Sequence, residues 1–183
     1  MTGFIPEITT RVTINTDFKS FDKSLELIAS DEILSKCFTE AIEHLGEKRK
    51  ELESQSDALA YRVSEYLSSF QSQIIAMKKV DTGMAKNSVD IMKESLSSYL
   101  VGNTATSVEG FPYPLAIEKG RKEVRPIDAR ALRWWDKDTG EIVFSKKSKA
   151  VAPYPFVDDS IRKTEGKVSE AVDEYLNKVM GDD

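Results

Sequence analysis

The sequence predicts an α+β fold: a long N-terminal helix, an antiparallel β-sheet of about four to five strands, and a C-terminal helix packed on the sheet. Three observations lead there. An apolar stripe at helical spacing runs from Asp31 to about Lys79, the periodicity turns strand-like after Lys79, and helical spacing returns from Val157 onward.

Residues 7–14 (Glu-Ile-Thr-Thr-Arg-Val-Thr-Ile) are rich in β-branched side chains and partly alternate, which predicts a short strand with Asn15-Thr16-Asp17 as a turn or cap. Phe18, Phe21, Leu25 and Ile28 then recur at three- and four-residue spacing, so a short helix follows, and Ser30 is placed to cap the next.

In the long segment Leu34, Phe38, Ile42, Leu45, Leu52, Leu59, Val63, Tyr66, Phe70, Ile74 and Met77 form the stripe, with no proline and only Gly46 inside it. A continuous helix over 31–79 would extend about 74 Å at 1.5 Å per residue, against roughly 30 Å for a small domain. Two resolutions stand. The helix breaks near Gly46, where a very polar stretch begins, or it projects and its Leu45, Leu52 and Leu59 pack on another protomer.

Beyond Lys79, residues 88–92 and 97–101 read as strands, the second closed by Gly102-Asn103. Further strands are expected at Tyr113–Ile117, Ala131–Trp135 and Glu141–Phe144, and Asp138-Thr139-Gly140 makes the last two an antiparallel hairpin. The final helix carries Val157, Ile161, Val168, Val172, Leu176 and Val179 on one face, with Asp158 and Asp159 in its first turn, where the helix dipole favours acidic groups. The whole is one structural domain: strand and short helix in 1–30, long helix in 31–79, sheet and closing helix in 80–183.

A chain of 183 residues that is 40% apolar and 31% charged can bury a core without metals or disulfides. Cys37 is the only cysteine, which fits a reducing cytoplasm. The first residues lack a basic stretch followed by an apolar run, and no window holds 18 apolar residues, so neither a signal peptide nor a membrane span is expected. The formal charge of −5 is unevenly spread. Residues 119–149 hold ten Lys or Arg against five Asp or Glu, a net of +5, which leaves −10 for the remainder.

Reactive chemistry is sparse. His44, the only histidine, lies seven residues after Cys37, but no third group orients the pair, and one histidine with one cysteine does not supply the common zinc spacings. Glycine-rich phosphate loops and G-x-S-x-G elbows are absent from the sequence. No catalytic, metal or cofactor residue is therefore assigned, and a non-enzyme is expected. Trp134-Trp135 beside Arg130 and Arg133 has the composition of a base-stacking, phosphate-binding patch. The weightier reading is a strand with one tryptophan inward and one outward, on a sheet that also forms an interface.

Three stretches in order carry a specific resemblance. The first is Val80-Asp81-Thr82-Gly83 followed by Asn87-Ser88-Val89, where glycine suits a φ > 0 reversal. The second is Val101-Gly102-Asn103, then Tyr113-Pro114-Leu115-Ala116-Ile117-Glu118-Lys119-Gly120, joined to Val124-Arg125-Pro126 and Ala129–Trp134. The third is Phe144-Ser145-Lys146 with Pro153-Tyr154-Pro155-Phe156-Val157 and Ser160. Together, over about residues 80–176, they resemble the tail-component family of tailed bacteriophages, which supplies head-tail joining and tail-completion (neck) proteins. The chain departs from that pattern in its N-terminal strand and short helix, the polar middle of its long helix and its Pro112–Pro114 pair.

The resemblance implies a structural virion protein: a ring-forming neck component, commonly hexameric, between portal-side adaptor or stopper proteins and the tail terminator or tail tube. It implies assembly from the host cytoplasm into the virion and non-specific contact with passing DNA. Asp81, Thr82, Gly83, Gly102, Asn103, Tyr113, Glu118, Gly120, Arg125, Pro126, Pro153, Pro155 and Phe156 would be its structural joints. Lys119, Arg121, Lys122, Arg130, Arg133, Lys146, Lys147 and Lys149 would face DNA or another protomer. The rival readings are a tail terminator or minor capsid-associated protein of the same particle, and a nucleic-acid-binding interaction protein using Arg130, Arg133 and Trp134.

Overall fold

The computed structural model describes residues 3–30, 39–77, 83–106, 110–136 and 139–180. Leu34, Cys37, Phe38, Asp81, Thr82 and Asp138 lie outside the described residues, as does the capping role expected of Ser30.

The fold is α+β. Pro6, with its fixed φ and missing N–H, opens a 3-10 turn (Pro6–Ile8), so the expected strand over 7–14 is confined to β1 (Thr10–Thr13). Helix α1 (Lys19–Ser30) follows, and Asp17 accepts the Lys19 N–H at 3.0 Å. Helix α2 (Thr39–Met77) is 39 residues long and runs unbroken through Gly46. One glycine costs a helix only about 1 kcal/mol relative to alanine, too little to interrupt an element of that length. The break near Gly46 does not occur, and every buried residue of α2 lies at Ser56 or beyond; Leu59, expected in a stripe packed on another protomer, is instead in this chain's own second core cluster.

After the single turn α3 (Met84–Asn87) come β2 (Val89–Ser95) and β3 (Ser98–Asn103). β3 is the centre of a three-stranded antiparallel sheet in the order β1-β3-β2, with Thr10 opposite Val101 and Ile91 opposite the other side of the same residue. Among the described residues there are five strands, but they are divided. β4 (Leu132–Asp136) and β5 (Glu141–Ser145) pair only with each other, in the expected hairpin, with Trp134 opposite Val143.

The strand expected at Tyr113–Ile117 is instead helix α4 (Tyr113–Glu118). Pro114 decides this. It has no N–H to give a sheet ladder, and its φ is preset for the first helical turn, where it sits.

Helix α5 (Phe156–Met180) closes the molecule, packing on the sheet and most extensively on α2. One core cluster gathers Ile5, Ile8, Ile74, Ile75, Ala85 and Phe156, with Val89 of the sheet against it. A second gathers Leu59, Val63 and Ala171, with Val12 against it. The buried faces of the two long helices also carry polar groups. Ser64, Ser160 and Thr164 satisfy their hydroxyls on carbonyls of their own helices, at 2.7–2.8 Å, and the Ser56 and Tyr175 hydroxyls share a bond at 3.1 Å between the helices. Gln71 is fully buried and neither its Nε2 nor its Oε1 has a partner. Leaving such a group unpaired costs about 1–3 kcal/mol, so Gln71→Met, of similar shape, is expected to raise the unfolding free energy by about that amount in denaturant titration.

Asp57 clamps α2 to the β2–β3 hairpin. Its carboxylate accepts the Ser97 N–H at 2.8 Å and the Tyr99 hydroxyl at 3.1 Å, and it takes a salt bridge from Lys93. Ser97 is the one non-glycine residue with positive φ among those described, at 54°, and this clamp holds it there. Burial pushes the Asp57 carboxyl up. Lys93, the Ser97 amide and Tyr99 outweigh that and hold it below the ordinary aspartate value. A depressed carboxyl stabilises the fold above its unfolded value, and that contribution is lost as pH falls through the lower folded value. Asp57→Asn should therefore cost about 1–3 kcal/mol at neutral pH, and should flatten the loss of stability on acidification below pH ~4. Urea titrations of both chains across pH check this.

Candidate functional site

Residues far apart in sequence meet at the head of α5. Gly83 lies in the left-handed region, φ 66°, as the N-cap of α3, and its carbonyl accepts the Asn87 N–H at 2.9 Å. Asn103 is fully buried. Its amide donates to the Ala85 carbonyl, its Oδ1 accepts the Ala105 N–H at 2.9 Å and its own carbonyl accepts the Ile5 N–H at 3.3 Å. One residue thus joins the N-terminal segment, through its carbonyl, to α3 and the end of β3, through its side chain. At Gly102 the requirement is space: a Cβ there would lie 2.7 Å from Thr9 Oγ1 and 3.2 Å from the Phe4 ring.

Glu118, the last residue of α4, reaches across to α5, where its Oε2 accepts the Val157 N–H at 3.1 Å. A carboxylate from another element thereby satisfies one of the helix's free N-terminal donors. Burial raises its carboxyl, the Val157 amide lowers it, and neighbouring Asp158 and Asp159 raise it, so that it sits above the ordinary glutamate value. Phe156 beside it is fully buried in the first core cluster.

From here the chain makes a zipped excursion. Tyr154 N–H bonds the Ile117 carbonyl at 2.9 Å, Arg121 and Val151 exchange bonds at 2.8 and 3.0 Å, and Val124 and Ser148 do the same at 2.8 and 3.0 Å. The segment leaves at Gly120, returns at Val151 and carries β4–β5 at its far end, so the basic stretch 119–149 is one structural arm. Gly120 is its hinge point, with φ 68° and no room for a Cβ, which would lie 2.5 Å from the Val151 carbonyl oxygen and 2.7 Å from Pro153 N. Pro153 and Pro155 are exposed, and the Pro155 carbonyl accepts the Asp159 N–H at 3.1 Å. Tyr113 stands half-exposed in an edge-to-face contact with Phe111, 5.9 Å between centroids.

At the base of the arm, Glu123 pairs with Lys147 and with Arg125, both at 2.8 Å, which holds its carboxyl below the ordinary range, and Arg121 bonds Ser148. Pro126 is half-buried, whereas Lys119, Lys122, Arg130, Arg133, Lys146 and Lys149 are exposed. So are Ile142, Phe144 at 66% and Ile127 at 95%. Trp134 is 43% exposed. It is thus the outward one of the expected inward–outward pair, and the Trp135 side chain lies outside the described ones.

Among the described residues no group of three or more His, Cys, Asp or Glu is placed to hold a metal, and no helix is long and apolar enough to cross a membrane. His44 is exposed on the projecting part of α2. An open cleft of about 560 Å³ lies beside that part, lined by Asn15, Phe18, Arg49, Glu53 and Leu96, but Arg49 there is already bonded to Asp22 and Glu53.

Sequence reading missed Asp57, Arg49 and Gln71. Each is a polar residue inside a helical stripe, and its partner or lack of one is set by elements tens of residues away. The chain matches no family model, no curated protein sequence and no solved structure.

Two glycines of similar φ separate backbone strain from crowding. Gly120→Ala should lose about 2–4 kcal/mol, from left-handed strain and collision with the backbone. Gly140→Ala, at φ 69° with open space around it, should lose only about 1 kcal/mol. Thermal and denaturant unfolding of the two variants measures the difference.

Proposed function

We propose that this chain is a structural virion protein of a tailed phage, a neck or tail-completion component that forms a ring joining the head connector to the tail, and that it acts by assembly rather than by catalysis. The observation that carries the reading is the clustering of the motif residues. Gly83, Gly102 and Asn103 shape the contacts of α3 and β3 with the N-terminal segment, Glu118, Gly120 and Pro153 shape the entry to α5, and the first core cluster joins the two sets through Ala85 and Phe156, although they are separated by up to about seventy positions. That is the use a resemblance to an assembly family implies for them.

Two further features support it. The first 17 residues of α2 have no fully buried position, and among the described residues the β4–β5 hairpin has no third strand, so both are open to neighbours. The direct nucleic-acid reading loses support where Glu123 takes up Lys147 and Arg125 at the base of the arm.

Particles assembled without the protein test the reading. Filled heads and separate, finished tails of normal length are expected. Overlong tails would make it a terminator instead, and normal infectious particles would overturn the reading.

A further inference from the structure

The two sheets differ in how their outer edges are protected. In the three-stranded sheet, edge strand β1 is four residues long, and edge strand β2 carries Asp90, Lys93 and Glu94 and a register shift between Lys93 and Ser95. Short length, charge and broken register keep an edge from pairing with a foreign strand. The hairpin lacks most of this. Its pairs run from Leu132 with Ser145 to Asp136 with Glu141 without a shift, and neither strand holds a proline. β4 carries Arg133 and Asp136, but in β5 the one charge is Glu141, at the end nearest the turn, and Ile142-Val143-Phe144 is uncharged.

Residues directly opposite in an antiparallel pair share a face. Trp134 and Val143 therefore lie on one face of the hairpin, and Ile142 and Phe144 on the other. Trp134, Ile142 and Phe144 are all exposed. Strands apolar on both faces belong inside a covered sheet, and a lone two-stranded hairpin is marginal in water. Residues 132–145 hold Arg133 and Lys137 against Asp136, Asp138 and Glu141, a net of −1, so this part of the arm is unsuited to a polyanion or an anionic bilayer. Its chemistry fits another β-strand.

We propose that the hairpins join copies of this chain edge to edge, β5 of one copy hydrogen-bonding to β4 of the next. The occupant is a second copy because each hairpin has two open edges, one of each strand. A single strand from a different protein would pair one edge and leave the other open, whereas copies related by rotation continue the antiparallel order and pair both. The near-neutral strands also lack the like charge that would hold copies apart. Such a contact is heterologous, the class that forms rings when the rotation closes, and closure leaves no edge unpaired. The proposal rests on the ring-forming reading for its second copy and adds the strand pairing which that reading leaves open.

Residue-resolved amide hydrogen exchange on the full-length wild type, dilute and concentrated, tests it beside light scattering. In a lone hairpin alternate amides of β4 and β5 point outward. Those amides should exchange fast in the dilute chain and slow by about tenfold or more on assembly, which packing of side-chain faces alone would not produce. Ile142→Lys with Phe144→Lys puts charge in the middle of the open edge strand and should need about tenfold more protein for half-assembly. Both side chains are exposed in the single chain, so circular dichroism and melting should stay as in the wild type. Ile142→Val with Phe144→Leu should assemble like the wild type.

An assembled wild type whose outward amides stay fast, or a lysine variant that assembles as well as the wild type, would overturn this contact and leave the ring reading standing. A wild type that stays monomeric at every concentration would overturn the contact, while particles assembled without the protein still decide the ring reading. Outward amides that slow on adding duplex DNA or phosphatidylglycerol vesicles, with the chain still monomeric, would overturn it in favour of a polyanion or a bilayer.

Discussion

A helix of 39 residues is about 58 Å long, and among the described residues its fully buried positions all lie in its second half. The remainder of the architecture follows from that mismatch. From Ser56 to Ile75 the helix offers buried positions that receive β3 and β2 on one side and α5 on another. Before Ser56 it is tied to α1 by Arg49 through Asp22, with Phe18 beneath the guanidinium at 5.4 Å. Exposed ion pairs of this sort contribute little, so the projecting half is held mainly by helix propagation from the packed half.

The packed half is fixed at both ends by polar devices rather than by apolar area alone. Asp57 fastens its start to the strained turn at Ser97, and Asn103 and Glu118 fasten the region around Ile74, Ile75 and Phe156. Each device joins elements distant in sequence through a group that is expensive to leave unpaired. The opposite case sits in the same helix: Gln71 is buried with no partner.

Much of this was legible in the sequence because periodicity reports burial. The stripe through Leu59, Val63 and Ile74 and the stripe of α5 fixed both long helices, and turn chemistry at Gly140 fixed the β4–β5 hairpin. Three things were not legible. The strand expected at Tyr113–Ile117 became a helix because Pro114 outweighs an apolar run. The single sheet became two because the backbone pairing of Arg121 with Val151 and Val124 with Ser148 sends the hairpin outward on an arm, and pairing between distant residues leaves no periodic trace. The joint was visible only as motif positions; that Glu118 reaches the α5 amide, or that Gly120 lies against the Val151 carbonyl, is a fact of three dimensions.

The central claim is that α2 has one half packed in this chain's own core and one half that is not, which the proposed assembly would cover. Amide hydrogen exchange on the dilute chain and on the assembled protein tests it most directly. The account predicts strong protection over residues 56–77 in both states, and fast exchange over residues 39–55 in the dilute chain that slows sharply on assembly. Equal protection of both halves in the dilute chain, or no change over 39–55 on assembly, would contradict it.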